Sequence, residues 1–104
     1  MARSPRLPSD LIKVLASLDR DKDVRLLLQD LLTPSEIEAA GERWAIVKGL
    51  AAGRTQREVR DRLGCSITTV SRGSRQLKYG RGGFELGFDR LGELGLGDPR
   101  EKRR

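Results

Sequence analysis

The stretch from Thr55 to Lys78 holds the densest local instructions in the chain: a helix start, a stop and a second start follow closely. Thr55 followed by Glu58 is a capping-box pattern, which predicts a first helix from Gln56. Val59 and Leu63 are one turn apart and are expected to face inward. Gly64 supplies the stop, because glycine tolerates the positive φ that ends a helix. Ser66 can then cap a second helix, on which Ile67, Val70, Ser74 and Leu77 share a docking face. Thr68, Thr69, Ser71, Arg72, Arg75 and Gln76 are left outward. Such a face of hydroxyls, amide and arginines, with no carboxylate, suits a helix laid in the major groove of DNA. An ordinary helical hairpin with a solvated face is the plainer alternative, but solvated faces usually mix both charge signs.

Charge sharpens that contrast. The chain carries a net +6, and its location matters more than its size. Residues 1–53 hold eight basic and eight acidic side chains, and residues 82–104 hold five of each. Residues 54–81 hold eight basic and two acidic side chains, so the whole excess lies on the two-helix unit. A basic patch confined to one element points to a polyanion as partner. The single cysteine, Cys65, excludes an internal disulfide and fits a reducing cytoplasm. In the turn between the two helices it is expected to be a small, half-buried filler. With no histidine to activate a nucleophile or build a zinc site, neither enzyme chemistry nor a metal centre is expected. No signal peptide or long apolar run suggests export or a membrane.

At 104 residues the chain is expected to form one domain, 1–104, all-α. N-terminal and scaffold helices fall in 9–53, the two-helix unit in 55–78, a last helix in 84–94 and a tail in 95–104. Residues 1–8 are basic, interrupted by proline and expected to be disordered. Ser9 can cap a helix from Asp10 to about Leu18, with Leu11, Val14, Leu15 and Leu18 on one face. Asp19 to Asp23 is a charged link or helix start, before a second helix to about Leu31 with Val24, Leu27, Leu28 and Leu31 apolar. This stripe can serve as core or as dimer interface, and a chain so short gains stability from oligomerisation. Thr33-Pro34-Ser35-Glu36 combines a capping box with proline at the first helical position. The scaffold helix it starts is expected to reach Ala52 and stop at Gly53, with Ile37, Ala40, Trp44, Val47 and Ala51 inward. Phe84, Leu86, Phe88, Leu91 and Leu94 suggest the last helix, weakened by Gly87 and Gly92. The tail 95–104 is expected to be disordered, its basic end placed to touch phosphates weakly.

Two arginines stand apart. Arg43 has Ala39, Ala40, Ile46 and Val47 at helical spacing, and Arg72 has Thr68, Thr69, Arg75 and Gln76. None of these can neutralise a guanidinium. Both are either solvated or snorkelling arginines, or cations kept free for an outside partner, and spacing leaves the two open. Gly73 sits inside the recognition helix, where glycine costs about 1 kcal/mol against alanine. A close approach of ligand or phosphate would explain it, so Gly73→Ala is expected to stiffen the helix yet weaken operator binding.

Taken together, Leu32-Thr33-Pro34-Ser35-Glu36, Gly41-Glu42-Arg43, Gln56-Arg57-Glu58, Thr69 to Ser74 and Leu77-Lys78 resemble the motifs of the Trp repressor family. The resemblance covers about residues 26 to 78. It implies an all-α, intertwined helical homodimer with a helix-turn-helix, and L-tryptophan bound as corepressor between scaffold and recognition helices. Carried over, Arg43 and Arg72 would sandwich the indole. Arg72 and Thr33 of the other subunit would hold the carboxylate, and the backbone near Asp30 and Leu32 would receive the ammonium. On a double-stranded DNA operator, Ile67, Thr68 and Ser71 would meet base edges. Arg57, Arg60 and Thr69 would meet phosphates, with Gln56 and Gly73 on the same surface. Guanidinium planes stack on aromatic faces and pair bidentately with carboxylates, which gives the two arginines a physical reason to be free.

Some positions differ from the family pattern. Gln76 stands where the repressor has a small serine lining the ligand site, so it is counted as a ligand-site residue that narrows the pocket or changes the ligand. The turn Gly53-Arg54-Thr55 is one residue shorter. That turn, Lys78-Tyr79-Gly80 and Asp89-Arg90-Leu91 are similar to the related YerC/YecD group. The expected function is a dimeric, cytoplasmic, sequence-specific repressor responsive to tryptophan. The alternatives are a related regulator without tryptophan dependence, a basic helical interaction module, or an accessory DNA-binding piece of a recombinase.

Overall fold

The structure, a computed structural model, describes residues 5–102. Among them six α-helices occur in order: α1 (Ser9–Ser17), α2 (Asp21–Leu31), α3 (Pro34–Ala51), α4 (Gln56–Leu63), α5 (Ile67–Tyr79) and α6 (Gly83–Glu93). A short 3₁₀ turn over Pro99–Lys102 follows, and there is no strand among the described residues. The chain divides into two compact units, with the boundary between Glu38 and Ala39, inside α3. The expectations for residues 1–4 and 103–104 lie outside the described residues; residues 5–8 are exposed and without regular structure.

In the first unit, α1 begins one residue earlier than expected, with Pro8 rather than Ser9 at the cap position and no side-chain cap. The charged link resolves as a helix start: Asp21 and Asp23 occupy the first turn of α2, where the helix dipole favours anions. Neither α1 nor α2 has a single buried residue. Leu11, Leu15, Val24, Leu27 and Leu28 are half-buried, while Val14 and Leu31 stay exposed. The third helix starts as the sequence predicts. Thr33 N–H donates to Glu36 Oε1 at 2.9 Å, and Glu36 N–H donates to Thr33 Oγ1 at 3.2 Å. The Thr33 backbone N–H is the main reason the Glu36 carboxyl is held below its ordinary range.

In the second unit, α3 is buried on two sides. Ile46 packs with Val59 and Val70, joined by Leu50 and Cys65. Val47 and Ala51 pack with Phe88, joined by Trp44, Leu77, Phe84 and Leu91. A single inward stripe was the wrong pattern for such a helix: Ile46 is buried, whereas Ile37 and Ala40 are exposed. Trp44 is half-buried and reaches α6, with ring centroids 6.3 Å from Phe84 and 5.6 Å from Phe88. Gly87 belongs to this contact, since a Cβ there would lie 3.2 Å from Trp44 Cη2.

The helices α4 and α5 join as the local signals require. The Thr55–Glu58 capping box is complete, Gly64 takes φ 70°, and Ser66 Oγ accepts from Thr69 N–H at 3.1 Å. Cys65 is half-buried against the Ile46–Val59–Val70 cluster, the filler role expected of it. Leu63 departs from expectation and is exposed, as is Ile67. Gly73 is also different from its reading. It is buried, and a Cβ there would lie 2.6 Å from Ile46 Cγ2. The close approach is of α5 to α3, and alanine would clash there rather than stiffen the helix.

The tail is the largest correction. Residues 95–102 are ordered, with Pro99 buried in the 3₁₀ turn. Arg100 donates to Asp98 Oδ2 at 2.6 Å and to Asp89 Oδ1 at 2.5 Å, and lies 5.7 Å from the Phe88 ring centroid. The Arg100 side-chain bonds pull the Asp98 carboxyl below its ordinary range. Glycines and mixed charges read as disorder because opposite signs here meet only after the chain has turned back on α6.

Candidate functional site

Two surfaces gather most of the residues singled out above, and both lie in the second unit. The first is the outward side of α4 and α5. Arg57 and Thr68 are exposed, and Ile67 is 42% exposed despite its apolar side chain. Thr69 is half-buried with its hydroxyl 2.8 Å from Ser66 Oγ, so it strengthens the N-terminal cap of α5. Ser71 Oγ donates to Gln56 Oε1 at 2.9 Å, which ties α5 to the start of α4. Arg60 is not free: its Nε and Nη2 both donate to Asp61 Oδ1, at 3.0 and 2.8 Å. An exposed pair of this kind contributes little and can exchange Asp61 for another anion. Glu58, the other acid here, is committed to the cap of α4. The Thr55 backbone N–H, then the Thr55 hydroxyl, and more weakly Arg54 and Arg62, lower its carboxyl, against a small opposing effect of burial. The surface therefore presents cations with both of its acids already engaged.

The second surface is an open hollow of about 610 Å³ lined by Arg43, Arg72, Arg75, Gln76 and Phe84. It brings together residues from α3, α5 and α6. Among the described residues none of the three guanidiniums makes an ion pair. Arg43 is exposed. Gln76 folds back along α5, its Nε2 lying 3.0 Å from where a Cβ at Gly80 would sit. Asp30, Leu32 and Thr33 belong to the first unit. Leu32 ends α2, with its N–H on Leu28 O at 2.9 Å. Thr33 Oγ1 accepts from Glu36 N–H at 3.2 Å and lies 3.3 Å from Ser35 Oγ, a contact in which either hydroxyl can donate.

Sequence reasoning missed two liners. Arg75 is one turn from Arg72, so helical spacing could have added it. Phe84 had no local signal, because it reaches the hollow only after the chain reverses beyond α5. Among the described residues no group of His, Cys, Asp or Glu could hold a metal ion, and no helix is long and apolar enough to cross a membrane.

The family model described as Trp repressor protein matches residues 9–92. A Trp operon repressor homolog of Xylella fastidiosa (strain M23) is 41% identical over 69 residues, covering 65% of this chain and 75% of that protein. The Trp operon repressor homolog of Photobacterium profundum is 43% identical over 65 residues, covering 62% and 61%. The uncharacterized protein YerC of Bacillus subtilis is 30% identical over 83 residues, covering 80% of each chain. No solved structure matches significantly. With six helices in order and the match running from the first residue of α1 almost to the end of α6, the chain belongs to the Trp repressor family.

Proposed function

We propose that this protein is a cytoplasmic, sequence-specific DNA-binding repressor, a homodimer that uses L-tryptophan as corepressor and catalyses no reaction. The observation that carries the reading is the pair Arg43 and Arg72. They come from α3 and α5, line one open hollow and have no acidic partner among the described residues. Two flat cations set apart in this way suit an aromatic ring carrying a carboxylate. The ring stacks on guanidinium planes and the carboxylate pairs with Arg72. A ligand wedged there sets the angle of α5 against α3, and so how α5 enters a major groove. The α4–α5 unit then acts as a helix-turn-helix. Thr68, Ile67 and Ser71 face base edges, while Arg57, Arg60, Gln56 and the Thr69 cap hold the phosphates. Thr33 of the second subunit adds its hydroxyl to the carboxylate, and the backbone at the end of α2, near Asp30 and Leu32, takes the ammonium. Dimerisation is supported by α1 and α2, whose apolar side chains the single chain leaves unburied.

The test is operator affinity with and without L-tryptophan, on a duplex selected from a random pool. A corepressor coupling of about 1–3 kcal/mol raises affinity roughly five- to a hundred-fold. Arg43→Ala removes that response and leaves basal DNA binding intact. Equal affinity with and without tryptophan overturns the corepressor role.

A second reading keeps DNA binding and drops the ligand. It is favoured by Gln76 and Phe84, which bring an amide and an aromatic ring of the chain itself to the hollow. Gln76→Ser separates the two. It preserves or tightens tryptophan binding on the first reading and creates none on the second.

A further inference from the structure

On another side of α3 the second unit holds an amphipathic cavity of about 330 Å³, formed by α3, α4, the end of α6 and the ordered tail. Its floor is apolar: Val59 and Leu63 from α4, Leu91 from α6, and Leu96 and Pro99 from the tail. Lys48, Arg54, Arg62 and Lys102 also line it, and no acid does. None of the four forms an ion pair among the described residues. Glu58 lies near enough to Arg54 and Arg62 to feel their charge, but its carboxyl serves the α4 cap. Leu63 and Leu96, exposed without reason in an isolated helix or tail, here belong to that floor.

The geometry points to a binding site for a small amphipathic carboxylate, its hydrocarbon body on the leucine floor and its charge among the four cations. Two properties favour this occupant. The volume is at the lower end of small-ligand pockets, enough for a chain of roughly eight carbons. Four cations without an acid repel one another unless an anion joins them, whereas a neutral apolar guest would leave them as they are. The site is separate from the hollow of Arg43 and Arg72 and shares no residue with it. It does touch α4 through Arg62 and Leu63, so its occupant would act on the same two-helix unit from behind.

Lys48 gives the site an optical readout. Its Nζ lies 5.7 Å from the ring centroid of Trp44, the only indole in the chain. An anion that draws Lys48 into the cavity takes a cation off that ring and changes its emission. The experiment titrates octanoate into the full chain, followed by calorimetry and by Trp44 fluorescence, with octan-1-ol as the uncharged comparison. Saturable binding of one octanoate per chain is expected, with a fluorescence change of the same midpoint and much weaker binding of the alcohol. Arg62→Ala and Lys102→Ala, both at exposed positions that do not threaten the fold, each weaken octanoate about fivefold. Absence of saturable octanoate binding, equal binding of the alcohol, or indifference to both substitutions overturns the assignment. So does a drop in sedimenting mass on adding octanoate, since that would make a second copy of the chain the occupant.

Discussion

The helices α1 and α2 and the helices α3 to α6 carry the same kind of apolar periodicity and reach opposite outcomes. In the first pair no residue is buried, and Leu26 remains 53% exposed. In the second group Phe88, Val47 and Val70 are fully buried and Ile46 nearly so. Periodicity fixes which face of a helix is apolar, but not whether one chain contains enough surface to cover it. The second unit is a finished core built around a helix used on both sides. The first is an apolar face still in need of a cover, and a second copy is the proposed one.

The sharpest way to break this contrast is truncation in each region. Phe88→Ala removes the ring at the centre of one cluster and should cost about 3–5 kcal/mol in urea unfolding, at any protein concentration. Leu26→Ala should cost far less in dilute protein, and its effect should appear as a weaker dimer in sedimentation. Equal losses for both, independent of concentration, would mean that the two regions are not different in kind.

Glycine substitutions inside α3 and α5 come next in size. Gly73→Ala presses on Ile46 and should destabilise by about 1–3 kcal/mol. Gly41→Ala meets nothing within 4 Å and should stabilise by about 1 kcal/mol through helix propensity alone. Thermal melts of the two variants should therefore move in opposite directions. A rise for both would show that α5 stands further from α3 than described.

Removing the tail anchor should do less. Arg100→Ala breaks two ion pairs and a ring contact at a half-exposed site, and should cost about 1 kcal/mol. Hydrogen exchange should then rise over residues 95–102 before it rises in α6. An unchanged exchange pattern would mean that Pro99 alone holds the tail.

The smallest effect treats both units alike. Each has a capping box, Thr33–Glu36 in the first and Thr55–Glu58 in the second, and both carboxyls titrate below the ordinary value of 4.5. A lowered folded-state pKa contributes stability that is complete above that ordinary value and disappears as pH falls through the folded one. Acidification from pH 5 should thus loosen the starts of α3 and α4 together, read as amide exchange at their first turns. Glu36→Gln and Glu58→Gln should each remove the pH dependence at their own helix only.

How much of this was legible depended on sequence distance. Both capping boxes, the Gly64 stop and the Ser66 cap lie within four residues of their partners, and each was readable in advance. The family motifs were readable for the same reason. The burial of Ile46 was not, because a helix covered on two sides loses its single stripe. Nor was the order of the tail, where Arg100 finds Asp89 eleven positions away. In the candidate site Arg43, Arg72 and Gln76 could be named from spacing and resemblance, while Phe84 arrives from a later helix.

The bond from Ser71 to Gln56 also has a direction, and direction is information. The Ser71 hydroxyl owns one proton, and that proton is given to Gln56 Oε1. Toward anything outside the protein, Ser71 can therefore only accept, while the NH2 of Gln56 remains to donate. In the major groove the amino groups of adenine and cytosine offer a proton, while guanine O6 and N7 and thymine O4 do not. On the proposed reading, Ser71 favours an adenine or cytosine amine and rejects the keto edge beside it. The preference is written by a partner on α4 that never needs to reach a base. On the same reading, replacing Gln56 by a residue that cannot accept would release the Ser71 proton, so that Ser71 could both donate and accept and its preference would relax, with α5 itself unaltered.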